Sequence, residues 1–401
     1  MERVVRALPI YLTTALMFGA VSARGLEIPL YAHQLGASRS SVGLLFTVYM
    51  LVAAAVAIPS GVIADRLGRR NTVLCSIAIA ALSQVAAAFS NSVEWLFVWQ
   101  LVGGISAGAS QTALYAALGD VVDPARLGAA MGWMSLSLQT GFLAGPAVAG
   151  VLLHWFSLPQ DLVITSVPLA LAFGMAIRAI PGGRRAGTSL AILAPLRKFA
   201  SGTTFWALTA SVVALAILWG TFQAYLPLLG KEVFGLSGAS IGYMLGIMSV
   251  FNGATRVPAG RIVDRLQSKA PLVTVCIVGF ATTVAVLPHL TGFWVPTALI
   301  SLTVPFIAVS FVATAVVYSH IADDDSRGIA MGVYSAVLFL GLGLGPALFG
   351  PVIQARGYGV GFLACAIGAT ALAAAALLIR HQPIRRWRAS AERPIVGDYA
   401  D

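Results

Sequence analysis

Arg24 and Glu27 stand three positions apart inside the first long apolar run of the chain. On a helix, residues three apart share a face. An ionisable group in the middle of a bilayer-length run costs about 2.5–3.5 kcal/mol on insertion scales, so it is a functional candidate by default. The chemistry Glu27 offers is proton or cation binding. Two other placements compete with that role: a pair with Arg24, or a position in a watery outer vestibule. Arg256 is the other charge inside an apolar run, one turn before Gly260. It either snorkels to the nearby surface or faces a cavity, where it favours an anionic substrate or a carboxylate partner.

A denser cluster lies at Gly61-Val62-Ile63-Ala64-Asp65-Arg66-Leu67-Gly68-Arg69-Arg70, between two apolar runs. A second copy, Gly260-Arg261-Ile262-Val263-Asp264-Arg265-Leu266, follows after 199 residues. Each reads as a short charged turn between two helices. Enzyme chemistry finds no support. Gly104-Ile105-Ser106-Ala107-Gly108 matches a nucleophile elbow, but that motif needs a strand-to-helix turn and this one sits in mid-run. His33, His154, His289, His320 and His381 have no metal-ligand spacing. Cys75, Cys276 and Cys365 all lie in apolar runs, which suits packing rather than a disulfide or metal site. No phosphate-binding Gly-rich loop with its Lys is present, so an ATP-driven pump is not expected. The sequence therefore points to no enzyme, cofactor or metal.

Membrane helices must position these groups. The composition is 58% hydrophobic and 10% charged, and the mean hydropathy is +0.88. A soluble domain carries roughly a quarter charged residues. With about 20 apolar residues needed per span, the chain divides into twelve, at 8–33, 42–63, 72–90, 95–118, 128–153, 161–180, 204–230, 239–260, 271–289, 293–319, 328–353 and 358–380. The predicted fold is thus an all-α membrane protein. Its halves are residues 1–180 and 204–380, with a central loop at 181–203 and a polar tail at 381–401. Placing the N-terminus in the cytoplasm leaves Arg39, Lys231 and Arg356 as the basic residues of the far side, with Arg24 and Arg256 inside spans. The rest of the 25 Lys and Arg fall in cytoplasmic segments, the positive-inside pattern. Both termini are therefore expected in the cytoplasm, and the net charge of +10 is explained without nucleic acid.

The repeat extends through both halves. Gly36, Ser38, Val42, Gly43 and Pro59 match Gly235, Ser237, Ile241, Gly242 and Pro258 at offset 199. Gly128, Met131, Gly132, Ser135, Gly145, Pro146, Ala147 and Gly150 match Gly328, Met331, Gly332, Ser335, Gly345, Pro346, Ala347 and Gly350 at offset 200. Parallel six-span repeats place a substrate path between the halves near the midplane. Tyr225 and Pro227 look like the partners of Glu27 and Pro29, so coupling chemistry is expected in the first half. Candidate cavity residues are Tyr31, Tyr225, Gln223, Asn252 and Arg256, with further polar and aromatic in-span residues such as Gln111, Tyr115, Gln139 and Tyr334.

Over nearly its whole length the chain resembles the major facilitator superfamily, most closely its twelve-span drug–proton antiporter branch. Gly61, Asp65, Arg66, Gly68, Arg69 and Arg70 look like that family's loop 2–3 signature. The second copy, with Asp264 and Arg265, is degenerate because Gln267 and Ser268 replace the later Gly and Arg. Gly141, Gly145, Pro146 and Gly150 look like the antiporter Gly-Pro signature, with Ala149 as a mild departure. Gly345 and Pro346 repeat it. The resemblance implies a cytoplasmic gate in which Asp65 meets the start of span eleven. Asp120 is available to pair with Arg66 or Arg69. The Gly-Pro positions are expected at a close-packed, bendable interface. Antiporters of this kind place an Arg on span four where this chain has Gln100, ahead of Gly103 and Gly104, which puts proton coupling in question. The expected function is alternating-access export of small drug-like or metabolic compounds. Protons would be the coupling ion, with Glu27, Arg24 and Gln100 as coupling residues. The protein is expected to be a monomer in the cytoplasmic membrane. The rivals are an uncoupled facilitator or metabolite carrier of the same fold and, behind it, a membrane sensor or scaffold.

Overall fold

A computed structural model of the chain describes residues 2–122, 127–182, 203–266, 268–321 and 327–379. The predicted central loop from 183 and the tail from 380 lie outside the described residues. The helices are α1 (Glu2–Gln34), α2 (Arg39–Leu67), α3 (Arg69–Ala88), α4 (Val93–Val121), α5 (Leu127–Leu152), α6 (Leu158–Ile164), α7 (Val167–Ala179), α8 (Thr203–Glu232), α9 (Gly238–Arg265), α10 (Ala270–Val286), α11 (Trp294–Ile321) and α12 (Arg327–Ile379). The predicted spans fall on helical segments, the sixth across two helices and the last two within one. Nine stretches among the described residues are long and apolar enough to cross a bilayer, and the last of them holds two predicted spans. Leu82, Val275, Leu302 and Leu378 are more than half exposed. Apolar residues exposed in such number suit contact with lipid rather than water.

Two elements differ from expectation. The predicted sixth span is broken into α6 and α7 at Thr165 and Ser166. Pro168 lies at the start of α7 and has no N–H for the Ile164 carbonyl, which removes a bond that would carry the helix across Thr165 and Ser166. The last two predicted spans form one helical path, interrupted at Gly357, where φ is +82°.

The repeat is visible in the backbone. Gly36 (φ +84°) and Gly235 (φ +69°) close matching turns. Ser38 Oγ then accepts from Ser41 N at 3.1 Å, and Ser237 Oγ from Ser240 N at 3.2 Å. Both serines cap the helix that follows. Helix pairing repeats as well. α5 lies on α1 through Gly141 and Gly145, and α12 lies on α8 through Gly341 and Gly345. A Cβ on Gly141 would fall 2.6 Å from Ala15 O. One on Gly145 would overlap Gly19 O, and one on Gly345 would overlap Ile217 O.

Two joints hold the halves together: α5 against α9, and α2 against α12. In the first, a Cβ on Gly150 would sit 2.5 Å from Gly242 Cα. In the second, Thr47 Oγ1 donates to Gly343 O at 2.9 Å. These contacts gather towards the end that carries the Gly36 and Gly235 turns. At the opposite end Arg66, Leu67, Arg265 and Leu266 are exposed.

Candidate functional site

Glu27 is fully buried on α1. Its Oε1 accepts from Thr165 Oγ1 at 2.7 Å, and Gln84 Nε2 of α3 donates to the same hydroxyl at 2.9 Å. The break between α6 and α7 is what aims Thr165 at the acid. Asp161, one turn earlier on α6, is also fully buried and close enough to Glu27 to interact electrostatically. Glu27 Oε2, both Asp161 carboxyl oxygens and Gln84 Oε1 are buried acceptors without a hydrogen-bond partner among the described residues. Such atoms are rare in folded proteins, and each calls for a reason.

Arg24 turns another way. Its Nη1 donates to Ser83 Oγ at 2.7 Å, and its Nη2 donates to Gln100 Oε1. The guanidinium lies 5.7 Å from the centre of the Tyr49 ring and packs on Gly103, where a Cβ would come within 3.1 Å of Nη1. The two in-span charges of α1 therefore do not form the ion pair their spacing allowed. Arg24 reaches α3 and α4, while Glu27 reaches the α6–α7 break. Neither lies in a watery vestibule, because Arg24 is 5% exposed and Glu27 0%.

The third station joins the halves. Arg256 of α9 is half-buried and meets Gln139 of α5. With its amide oxygen turned to the guanidinium, Gln139 accepts from Nη2 at 2.6 Å, from Nη1 at 3.2 Å and also from Nε. Tyr115 of α4 and Tyr334 of α12 lie within electrostatic reach of the same guanidinium. Arg256 thus faces across the halves and does not snorkel to the surface. Asn252, one turn earlier on α9, is half-buried, and its Oδ1 has no partner among the described residues.

Other sequence candidates are placed as follows. Tyr31 is buried and donates to Ser90 O at 2.6 Å, so it ties α1 to the end of α3 and does not line a cavity. Tyr225 is fully buried, with its hydroxyl wedged between Gly43 and Gly350. It too is a packing residue, because only glycines leave room for that oxygen. Gln223 is half-buried on α8. Gly141, Gly145 and Gly345 lie in contacts within the halves, whereas Gly150 and Pro346 lie at contacts between them.

At the predicted gate, Gly61, Asp65 and Arg66 fall on the last turns of α2, and Gly68 (φ +88°) turns the chain into α3. Arg66 is exposed, and Arg69 and Arg70 are half-buried. Arg69 Nη1 donates to Ala116 O, near the end of α4, at 2.6 Å. Arg265 is exposed at the end of α9. The side chains of Asp65, Asp120 and Asp264 lie outside the described residues.

At the other end the structure holds a latch that the motifs did not point to. Glu232 of α8 accepts from Arg39 of α2, at 2.8 Å from Nε and 2.6 Å from Nη2. Tyr358 of α12 donates to the same carboxylate at 3.3 Å, and His33 of α1 stands 3.6 Å from it. The Arg39 guanidinium also lies 4.8 Å from the centre of the Tyr358 ring. The signal was present in the charge count, because Arg39 is one of three basic residues on that side. Asp161, Gln84 and Thr165 were likewise missed, Asp161 because it stands at the first position of a predicted span.

The family model described as Major Facilitator Superfamily matches residues 10–320. An uncharacterised MFS-type transporter of Methanocaldococcus jannaschii is 21% identical over 80% of this chain and 84% of its own length. Multidrug resistance protein 1 of Bacillus subtilis is 29% identical over 38% of this chain and 39% of its own length. Quinolone resistance protein NorA of Staphylococcus aureus is 26% identical over 31% and 32%. The chain thus aligns with only about a third of each drug-resistance relative. Among solved structures, the nucleoside transporter NupG superposes with a TM-score of 0.78 at 16% identity, over 94% of this chain and all of that one. A bacterial homologue of the lysosomal transporter Spinster, solved inward-facing and unoccupied, gives 0.74 at 16% identity, over 94% and 96%. At such identity these structures speak for the fold alone. With the family model covering most of its length, the chain belongs to the Major Facilitator Superfamily.

Proposed function

We propose that this transporter exports small organic compounds across the cytoplasmic membrane in exchange for protons, with Glu27 as the proton acceptor. The observation that carries the reading is Glu27 Oε2: a carboxyl oxygen buried among helices, without a donor among the described residues, beside the Asp161 carboxylate, which likewise has none there. An acid so placed takes up a proton in one conformation and releases it when helix movement admits water. Arg24 supports the reading, because its guanidinium sits against Gln100, where related antiporters carry their own Arg. Local similarity to two drug-resistance proteins supports small organic compounds as cargo.

The charge distribution supports both termini in the cytoplasm. The Arg39–Glu232 latch then closes the outer side, and the exposed Arg66 and Arg265 mark an inward-open state. Residues 1–180 and 204–380 act as the two rocking halves, with 181–203 as the loop between them. Asp65, Arg66, Arg69, Arg70 and Asp120 form the gate of the inner side, with Asp264 and Arg265 as its weaker counterpart.

One observation favours the rival, an uncoupled carrier: every described polar contact of Glu27 lies within the first half. A compound panel in proteoliposomes, with and without an imposed pH gradient, separates the two. Gradient-driven uptake is expected for the wild type and is lost in Glu27→Gln, while gradient-free exchange persists. Full gradient-driven transport by Glu27→Gln removes the acid from the mechanism.

A further inference from the structure

We infer that Arg256 is the head-group site for an organic anion, so that the cargo is an amphipathic acid rather than a neutral or cationic compound. The inference rests on the transport reading above and adds the chemical class of the substrate.

The argument starts from position. Arg256 lies 14 residues beyond Gly242 on α9, about 21 Å down the helix from the closed joint at 1.5 Å per residue. Nine residues, about 13.5 Å at the same rise, then separate it from the exposed end of α9 at Arg265. It therefore lies deep between the halves on the open side of the closure. Four helices converge on it: α9 itself, α5 through Gln139, α4 through Tyr115 and α12 through Tyr334. Two come from each half, so the station changes whenever the halves rock.

Charge comes next. No carboxylate among the described residues lies within ion-pair distance of Arg256, in contrast to Arg39 with Glu232. A cation at this depth is costly to keep, and a neutral amide oxygen offsets only part of that cost. The single Gln139 oxygen faces Nη2, Nη1 and Nε together and can satisfy only part of their five N–H groups, and no described acid engages the rest. Arginine presents those donors as a planar fork that fits carboxylate, sulfonate or phosphate with two parallel hydrogen bonds. Beside it, the Tyr115 hydroxyl makes no hydrogen bond among the described residues, and the Tyr334 hydroxyl makes only long ones, at 3.4 Å. The Tyr115 hydroxyl is free to turn its donor to an anion, and the Tyr334 hydroxyl can exchange its long bond to Phe311 O for one to an anion. A lone interhelical brace between Gln139 and Arg256 would need neither tyrosine nor a full charge.

The test is equilibrium binding to the purified full-length protein, read by intrinsic fluorescence. Three probes share one ring system: 2-naphthoate, 2-naphthamide and 2-naphthylmethylammonium. The wild type is expected to bind the carboxylate about ten- to a hundred-fold more tightly than the amide, the range for a charge-assisted pair, and the ammonium most weakly. Arg256→Gln is expected to erase the preference for carboxylate over amide, and Arg256→Lys to keep part of it. Arg261→Gln, on the exposed end of α9, is the control for bulk charge and is expected to keep the preference whole. The inference is overturned if amide or ammonium binds the wild type as tightly as the carboxylate, if no carboxylate binding is seen, or if Arg256→Gln retains the preference. No arm uses a pH gradient, so failure here is distinct from failure of proton coupling.

Discussion

Arg24 and Gln100 carry the main lesson at the scale of single residues. The sequence showed a glutamine where related antiporters have an arginine, and coupling was put in question for that reason. Across the bundle, however, Arg24 brings a guanidinium from α1 to the same place, and Gly103 leaves the room it needs. Sequence spacing ranks neighbours along one helix, so it paired Arg24 with Glu27. It has no access to partners such as Ser83, 59 positions away. A swap tests this account. Gln100→Arg alone places two guanidinium groups in one buried space and is expected to lower stability by about 3–5 kcal/mol, the scale of an uncompensated buried charge. Arg24→Gln combined with Gln100→Arg is expected to recover most of that loss. Thermal unfolding of the four proteins in detergent measures the coupling, and strict additivity would refute a shared site.

Among the elements, the helices were legible because a bilayer imposes a length and an apolar composition on each one. Their interruptions were less so. Thr165-Ser166-Val167-Pro168 contains the break that aims Thr165 at Glu27, yet the run stays apolar enough to read as one span. The close contact of α1 with α5 was legible in outline, since Gly141 and Gly145 lie one turn apart. Gly145→Ala is expected to push these helices apart, because the new Cβ would overlap the backbone oxygen of Gly19. The expected cost is about 1–3 kcal/mol, as for other overpacked sites, and appears as a lower Tm. Gly174→Ala on α7 is the matched control. Nothing lies within 4 Å of a Cβ there, and alanine is the better helix former by about 1 kcal/mol. Its Tm should hold or rise.

For the whole molecule, the duplicated fold was readable from the two offsets, but the conformational state was not. Nothing in a sequence says which end of a rocking bundle is shut. The Arg39–Glu232 latch provides the handle. It joins α1 and α2 to α8 and α12, and both partners are partly exposed, so its contribution is on the order of 1 kcal/mol. A shift of that size still changes a two-state population several-fold. Glu232→Gln is expected to raise access, from the end that carries the latch, to a cysteine placed at Ser40, beside Gly350 in the second joint, in a protein freed of Cys75, Cys276 and Cys365. The rate of labelling by a membrane-impermeant maleimide reads it out. An unchanged rate means that the glycine joints, not the charges, hold that end shut.

Those joints also carry a record of descent. Gly43 corresponds to Gly242 in the repeat, and Gly150 to Gly350. An ancestor with two identical halves would have closed this end with the same bare seam twice. This chain keeps one seam bare, where Gly150 meets Gly242, and has threaded the Tyr225 phenol through the other, between Gly43 and Gly350. At the offset of 198 that pairs Pro29 with Pro227, the position across the repeat from that tyrosine is Glu27. On that pairing, the residue that props one seam and the residue proposed as the proton acceptor share one repeat position, and a chimera made of two first halves would inherit two acids and no prop.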